Sequence, residues 1–225
     1  MWKTEDMLYK HIDPFNLGLD IAFTLVMFLF FVLIYIKTRE IYTLSKHRGI
    51  KYFRDAFLFF GLSYILRLVL SLVLLLGEAD FSDFYKIIFP PLILLLGYLS
   101  TLSILYLIFS LCWKSFNNRI LICSGHAFAL ILSIFSVILR SHLIILLSQF
   151  ILIIVIIIIG LLRRTEQKKV SQTKTLYFLV AFLWLINLFV IGRIRHLHFF
   201  VSLISELVSL FVVIIIYLRI LKWAR

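Results

Sequence analysis

The amino-acid sequence predicts an all-α polytopic membrane protein, a bundle of about seven transmembrane helices with its N-terminus outside the cytoplasm and its C-terminus inside. Three observations predict it. The chain of 225 residues is 63% hydrophobic and only 15% charged, with mean hydropathy +1.10, which is more apolar surface than one soluble core hides. Its apolar residues fall in runs of 17 or more, the length an α-helix needs to cross about 30 Å of hydrocarbon. Its basic residues concentrate in alternate gaps between those runs.

The runs lie near 17–37, 56–77, 87–112, 120–139, 142–162, 176–192 and 199–219. They lack the alternation of barrel strands, and backbone groups in hydrocarbon must be satisfied within the segment, so each reads as a helix. Seven spans of about 20 residues leave only short connections, so residues 1–225 read as a single transmembrane domain. The opening stretch MWKTEDMLYKHIDPFN mixes both charge signs and lacks the basic-then-apolar order of a signal peptide. Only Arg140, Ser141 and His142 separate the fourth and fifth runs, which makes those helices antiparallel neighbours. Pro90 and Pro91 fall near the outer end of the third run, where proline is tolerated.

Orientation follows from lysine and arginine. Sixteen of them fall in the gaps after the first, third, fifth and seventh runs, and six in the N-terminal segment and the other gaps. The sixteen-residue side is expected to be cytoplasmic, in a multi-pass protein of the cell membrane. The formal charge of +12 follows these loops, so it predicts contact with anionic lipid headgroups and not with nucleic acid. The gap 37–55 is the most distinctive, with short apolar faces (Ile41, Tyr42, Leu44; Ile50, Tyr52, Phe53) among basic residues. It reads as helix ends at the headgroups or as a docking surface for a cytoplasmic protein. Cys112 and Cys123 fall near the cytoplasmic side, where thiols stay reduced.

Ionisable groups at bilayer depth are functional candidates by default. Arg67 lies about eleven residues into the second run, roughly 17 Å deep, and Glu206 about seven residues into the seventh from the other side, roughly 11 Å. Those depths nearly coincide, so the two are expected to meet inside the bundle, directly or through water. Asn187 shares that level, Gln149 is a little higher, Asp20 lies nearer the outer rim, and Tyr64 is one turn from Arg67. These six residues form the candidate ligand-binding set. The bland alternative is a charge pair holding two helices in register with the amides as interhelical links.

Other polar residues read as packing. Ser100, Thr101, Ser103 and Tyr106 resemble a small-residue interface. His126 is close in depth to Cys112 and Cys123, but a fourth ligand is missing and no metal site is expected. Cys123-Ser124-Gly125 is similar to the nucleophile block of the exosortase and archaeosortase transpeptidases. Those enzymes act toward the outer face with arginine and histidine in later spans, whereas Cys123 falls near the inner face and no later block matches. Zinc hydrolases similar to ceramidases need histidines at helical spacing, and His196 and His198 stand in a short loop without a third ligand. Retinal proteins need a lysine in the last span, and residues 199–219 hold none.

No catalytic residue and no cofactor are therefore expected. In helix count and orientation the chain is similar to the membrane sensor modules of prokaryotic signalling proteins. The leading expectation is a non-enzymatic protein of receptor or sensor type that signals through a separate partner. The alternative is a small transporter, or a channel of several identical copies, for an ion or small anionic solute.

Overall fold

The computed structural model describes residues 14–77, 82–114, 119–139, 141, 143–162, 168–191 and 199–224. All secondary structure there is helical: α1 Pro14–Ser45, α2 Arg48–Gly77, α3 Ser82–Leu111, α4 Arg119–Ile138, α5 Leu143–Leu162, α6 Lys168–Ile191 and α7 Phe199–Ala224. Six of them, all but α6, are long and apolar enough to span a membrane. α6 is a helix of 24 residues that rises about 36 Å, and Thr175–Leu188 is the apolar stretch within its described side chains.

Helix contacts close a ring in the order α1, α2, α3, α5, α6, α7 and back to α1, with α4 outside it against α3 and α5. Aromatic rings fill the interior. Phe31 of α1 packs on Phe57, Phe60 and Tyr64 of α2, and Phe53 of α2 meets Tyr177 of α6 edge-on at 5.5 Å. Phe60 stacks on Trp184 of α6 with centroids 4.1 Å apart. The pairs Phe53–Tyr177 and Phe60–Trp184 are seven residues apart on each helix, so α2 and α6 run parallel and in register. Outward-facing apolar side chains such as Leu29, Ile131, Phe135, Ile151 and Phe211 remain exposed, the composition of a lipid-facing surface.

Residues 37–55 are not a loop. Hydropathy ends the first span near 37 and starts the second near 56, but α1 continues to Ser45 and α2 begins at Arg48. Only Lys46 and His47 connect them. Apolarity marks the hydrocarbon slab, whereas helical hydrogen bonding continues through the charged ends beyond it. The turn is fixed locally: Lys46 N–H donates to the Tyr42 carbonyl at 2.8 Å, and His47 Nδ1 caps α2 by accepting from the Gly49 N–H at 3.2 Å. Arg54 lies over the rings of Tyr35 and Tyr42 and pairs with Asp55 at 2.6 Å.

Lys46 takes φ of +52°, the left-handed conformation in which a helix ends most easily on glycine. Lys46→Gly is therefore expected to stabilise the protein by up to about 1 kcal/mol, the β-carbon penalty less the added freedom of the unfolded chain. A thermal-unfolding midpoint that falls on this substitution would contradict the turn geometry.

α3 runs through Pro90 and Pro91 without interruption. At Gly97 the backbone of α3 comes so close to its neighbours that a β-carbon would sit 2.5 Å from Ile145 Cδ1 of α5 and 3.2 Å from Ser133 Oγ of α4. That approach brings α5 against the wall described next. Glu78, Asp80, Asp83, Arg193, Arg195, His196 and His198, expected in the outer connections, lie outside the residues whose side chains are described.

Candidate functional site

A cavity of about 350 Å³ lies among α2, α3, α5 and α6. Tyr64 of α2 donates a hydrogen bond to Asn187 Oδ1 of α6. Gln149, in the second turn of α5, donates to Ser100 Oγ of α3 at 2.7 Å and to Thr101 Oγ1 at 3.3 Å. Below, toward the Lys46–His47 turn, the Phe60–Trp184 stack forms the floor.

The polar part of the lining is Tyr64, Arg67 and Ser71 from α2, with Ser63, Ser100, Gln149 and Asn187 beside them. Apolar residues such as Leu70, Ile93, Leu96 and Ile145 complete it. Polar groups held among apolar walls orient a small ligand, and the volume falls in the range of small-molecule sites.

Arg67 is anchored from behind. Its Nη2 donates to Asp20 Oδ1 of α1 at 2.6 Å, and Ser71, one turn along α2, donates to Asp20 Oδ2 at 3.3 Å. The carboxylate is thus clasped by two residues at helical spacing, and Asp20 itself is not part of the lining. Glu206 of α7 is buried at 9% exposure. One turn farther along α7, Ser209 is fully buried and its hydroxyl has no hydrogen-bond partner among the described residues.

An uncharacterized protein of Archaeoglobus fulgidus is 30% identical to this chain over 212 residues, 90% of this chain and 91% of that protein. The chain belongs to that protein's family. No family model and no solved structure matches the chain. With nine-tenths of both chains aligned, the similarity is not confined to one span.

Four of the six residues singled out by sequence in this family member, Tyr64, Arg67, Gln149 and Asn187, line the cavity. Of the other two, Asp20 stands behind Arg67, and Glu206 is buried on α7 outside the lining. Arg67 was expected to meet Glu206 directly or through water; the ion pair described for Arg67 is with Asp20. The reason is helix order: α1 packs directly on α2, whereas α7 packs on α1 and α6. A long arginine side chain also reaches a carboxylate nearer the rim than its own backbone level.

Four participants were missed. Ser71 repeats the Arg67 position one turn on, a signal that i, i+4 spacing carries. Ser100 and Thr101, read as packing, accept from Gln149; the clue was a glutamine on a helix whose other polar side chain is Ser148. Trp184 carried no polar signal. His126 has both ring nitrogens bonded to tyrosine hydroxyls of α3, Nδ1 to Tyr98 at 2.9 Å and Nε2 to Tyr106 at 3.0 Å. That arrangement ties α4 to α3. Among the described residues no group of three metal-ligating side chains occurs.

Proposed function

We propose that this protein is a ligand-binding receptor or sensor of the cell membrane, with its N-terminus outside and the Arg67 cavity opening toward the outer face. The observation that carries this reading is the cavity itself, about 350 Å³ with an anchored arginine on its wall and an aromatic floor. Orientation is supported by the sixteen-to-six division of basic residues. Between the floor and the Lys46–His47 turn the interior is packed with Phe53, Phe57, Tyr52, Tyr106 and Tyr177, which supports a closed binding site over a transport path. A signal would pass to a separate polypeptide at the basic face around Lys46, Arg48 and Lys51, all exposed.

Reconstituted in liposomes, the protein is expected to pass no more chloride or decanoate than protein-free vesicles. Flux above that level that disappears with Glu206→Gln would make transport the function and remove the sensor reading. In the source organism's membranes, a cytoplasmic protein is expected to co-purify in a salt-sensitive way and to be lost when Lys46, Arg48 and Lys51 become glutamate.

A further inference from the structure

We infer that the cavity admits ligands whose polar end donates a hydrogen bond, an alcohol or an amide, over ketones and ethers of the same shape, and that Gln149 selects them; this rests on the ligand-binding reading above. Gln149 is 1% exposed and lines the cavity. Its amide nitrogen spends both hydrogens on α3, one on Ser100 Oγ at 2.7 Å and one on Thr101 Oγ1 at 3.3 Å. Ser100 gives its own proton to the Gly97 carbonyl at 3.0 Å, so toward Gln149 it can only accept. That fixes which end of the amide faces α3. The carbonyl oxygen is the end left for the cavity, and it has no hydrogen-bond partner among the described residues.

The lining does not supply that partner from its hydroxyls. Ser63 donates to the Phe60 carbonyl at 2.7 Å, Tyr64 to Asn187, and Ser71 to Asp20 at 3.3 Å. With Ser100 committed as well, every hydroxyl proton of the lining is spent. The nitrogen donors of α2 and α6 are turned elsewhere, Arg67 to Asp20 and Asn187 to the Leu183 carbonyl. Water can serve the Gln149 oxygen, but a ligand that fills the cavity displaces water and must bring a donor of its own or leave a buried acceptor unpaired. A hydroxyl or an amide N–H meets that demand. A ketone or an ether, which carries acceptors alone, does not, and its binding is weakened about tenfold to a hundredfold. A volume of about 350 Å³ holds about a dozen water-sized groups, enough for one polar end and a chain or ring of about ten carbons. A free alcohol and the hydroxyl of a neutral glyceride offer the same chemistry.

Trp184 reports occupancy directly, because it lines the same cavity. The full chain would be prepared with Trp2, Trp113 and Trp223 replaced by phenylalanine, placed in nanodiscs, and titrated with a brominated ten-carbon secondary alcohol or the matching ketone. Affinities are referred to concentration in the disc, so that partitioning into lipid cancels. The expected result is saturable quenching of Trp184, with the alcohol bound about tenfold or more tighter than the ketone. Gln149→Leu removes the acceptor and is expected to bring the alcohol down to the affinity of the ketone. Ser100→Ala combined with Thr101→Val frees the amide to turn its N–H toward the cavity, and is expected to strengthen the ketone several-fold with Gln149 still in place. Displacement of the alcohol by monoacylglycerol assigns the donor to a neutral lipid, and failure to displace it assigns the donor to a free molecule; both results keep the donor requirement. A ketone bound as tightly as the alcohol in the parent, or a preference that survives Gln149→Leu, overturns the inference and leaves the cavity as a ligand site. Absence of saturable quenching by alcohol and ketone alike overturns the ligand-binding reading itself.

Discussion

Arg67→Leu is expected to destabilise the protein by about 3 kcal/mol, the lower end of the range for breaking a buried ion pair from one side. The lower end applies because the Arg67 and Asp20 side chains retain 18% and 26% exposure. Most of the cost comes from what is left behind: Asp20, held to α2 through both oxygens, keeps only the Ser71 contact and must lose its charge or recruit water. Asp20→Asn in the leucine background is therefore expected to restore at least about 1 kcal/mol, since the orphaned charge is gone. Thermal unfolding of the single and double variants measures both quantities. A leucine variant as stable as the parent, or a double variant no better than the single, means that Arg67 and Asp20 do not pair. The anchored wall of the cavity is then lost with them.

The sequence made the slab-crossing parts of the fold plain, because lipid imposes one requirement, a long apolar helix, and six of the seven described helices meet it. Helix ends were harder to see. Residues 38–55 are charged and aromatic, yet cation–π contacts of Arg54, the His47 cap and a left-handed Lys46 make them two helices joined by two residues. Depth counting put Asn187 at the level of Arg67, because rise per residue is fixed; in the structure Asn187 pairs with Tyr64, one turn from Arg67. It could not find which carboxylate Arg67 reaches, because the order of helices around the ring is set by side-chain packing between distant segments. Gln149 drew attention by its polarity alone, but that it faces Ser100 depends on the close approach at Gly97. A glycine in an apolar run does not announce its neighbour.

The aromatic floor decides whether the cavity is a pocket or the outer half of a path, and Trp184→Ala tests it. Removing a buried tryptophan from a soluble core costs about 3–5 kcal/mol, part of it from returning apolar surface to water. In a bilayer the unfolded reference keeps that surface in lipid, so only lost dispersion contacts and the new void remain. The expected destabilisation is therefore smaller, about 2 kcal/mol, measured by thermal unfolding, and Trp184→Phe should recover most of it by keeping a ring on Phe60. The void would join the cavity from below. It would still meet Phe53, Phe57 and Tyr177, which are packed edge to face beneath it, so vesicles containing the alanine variant are expected to stay as tight to chloride and decanoate as those containing the parent. A leak that opens in this variant alone would make Trp184 the gate of a conduit, and the aromatic column below it the rest of the way through.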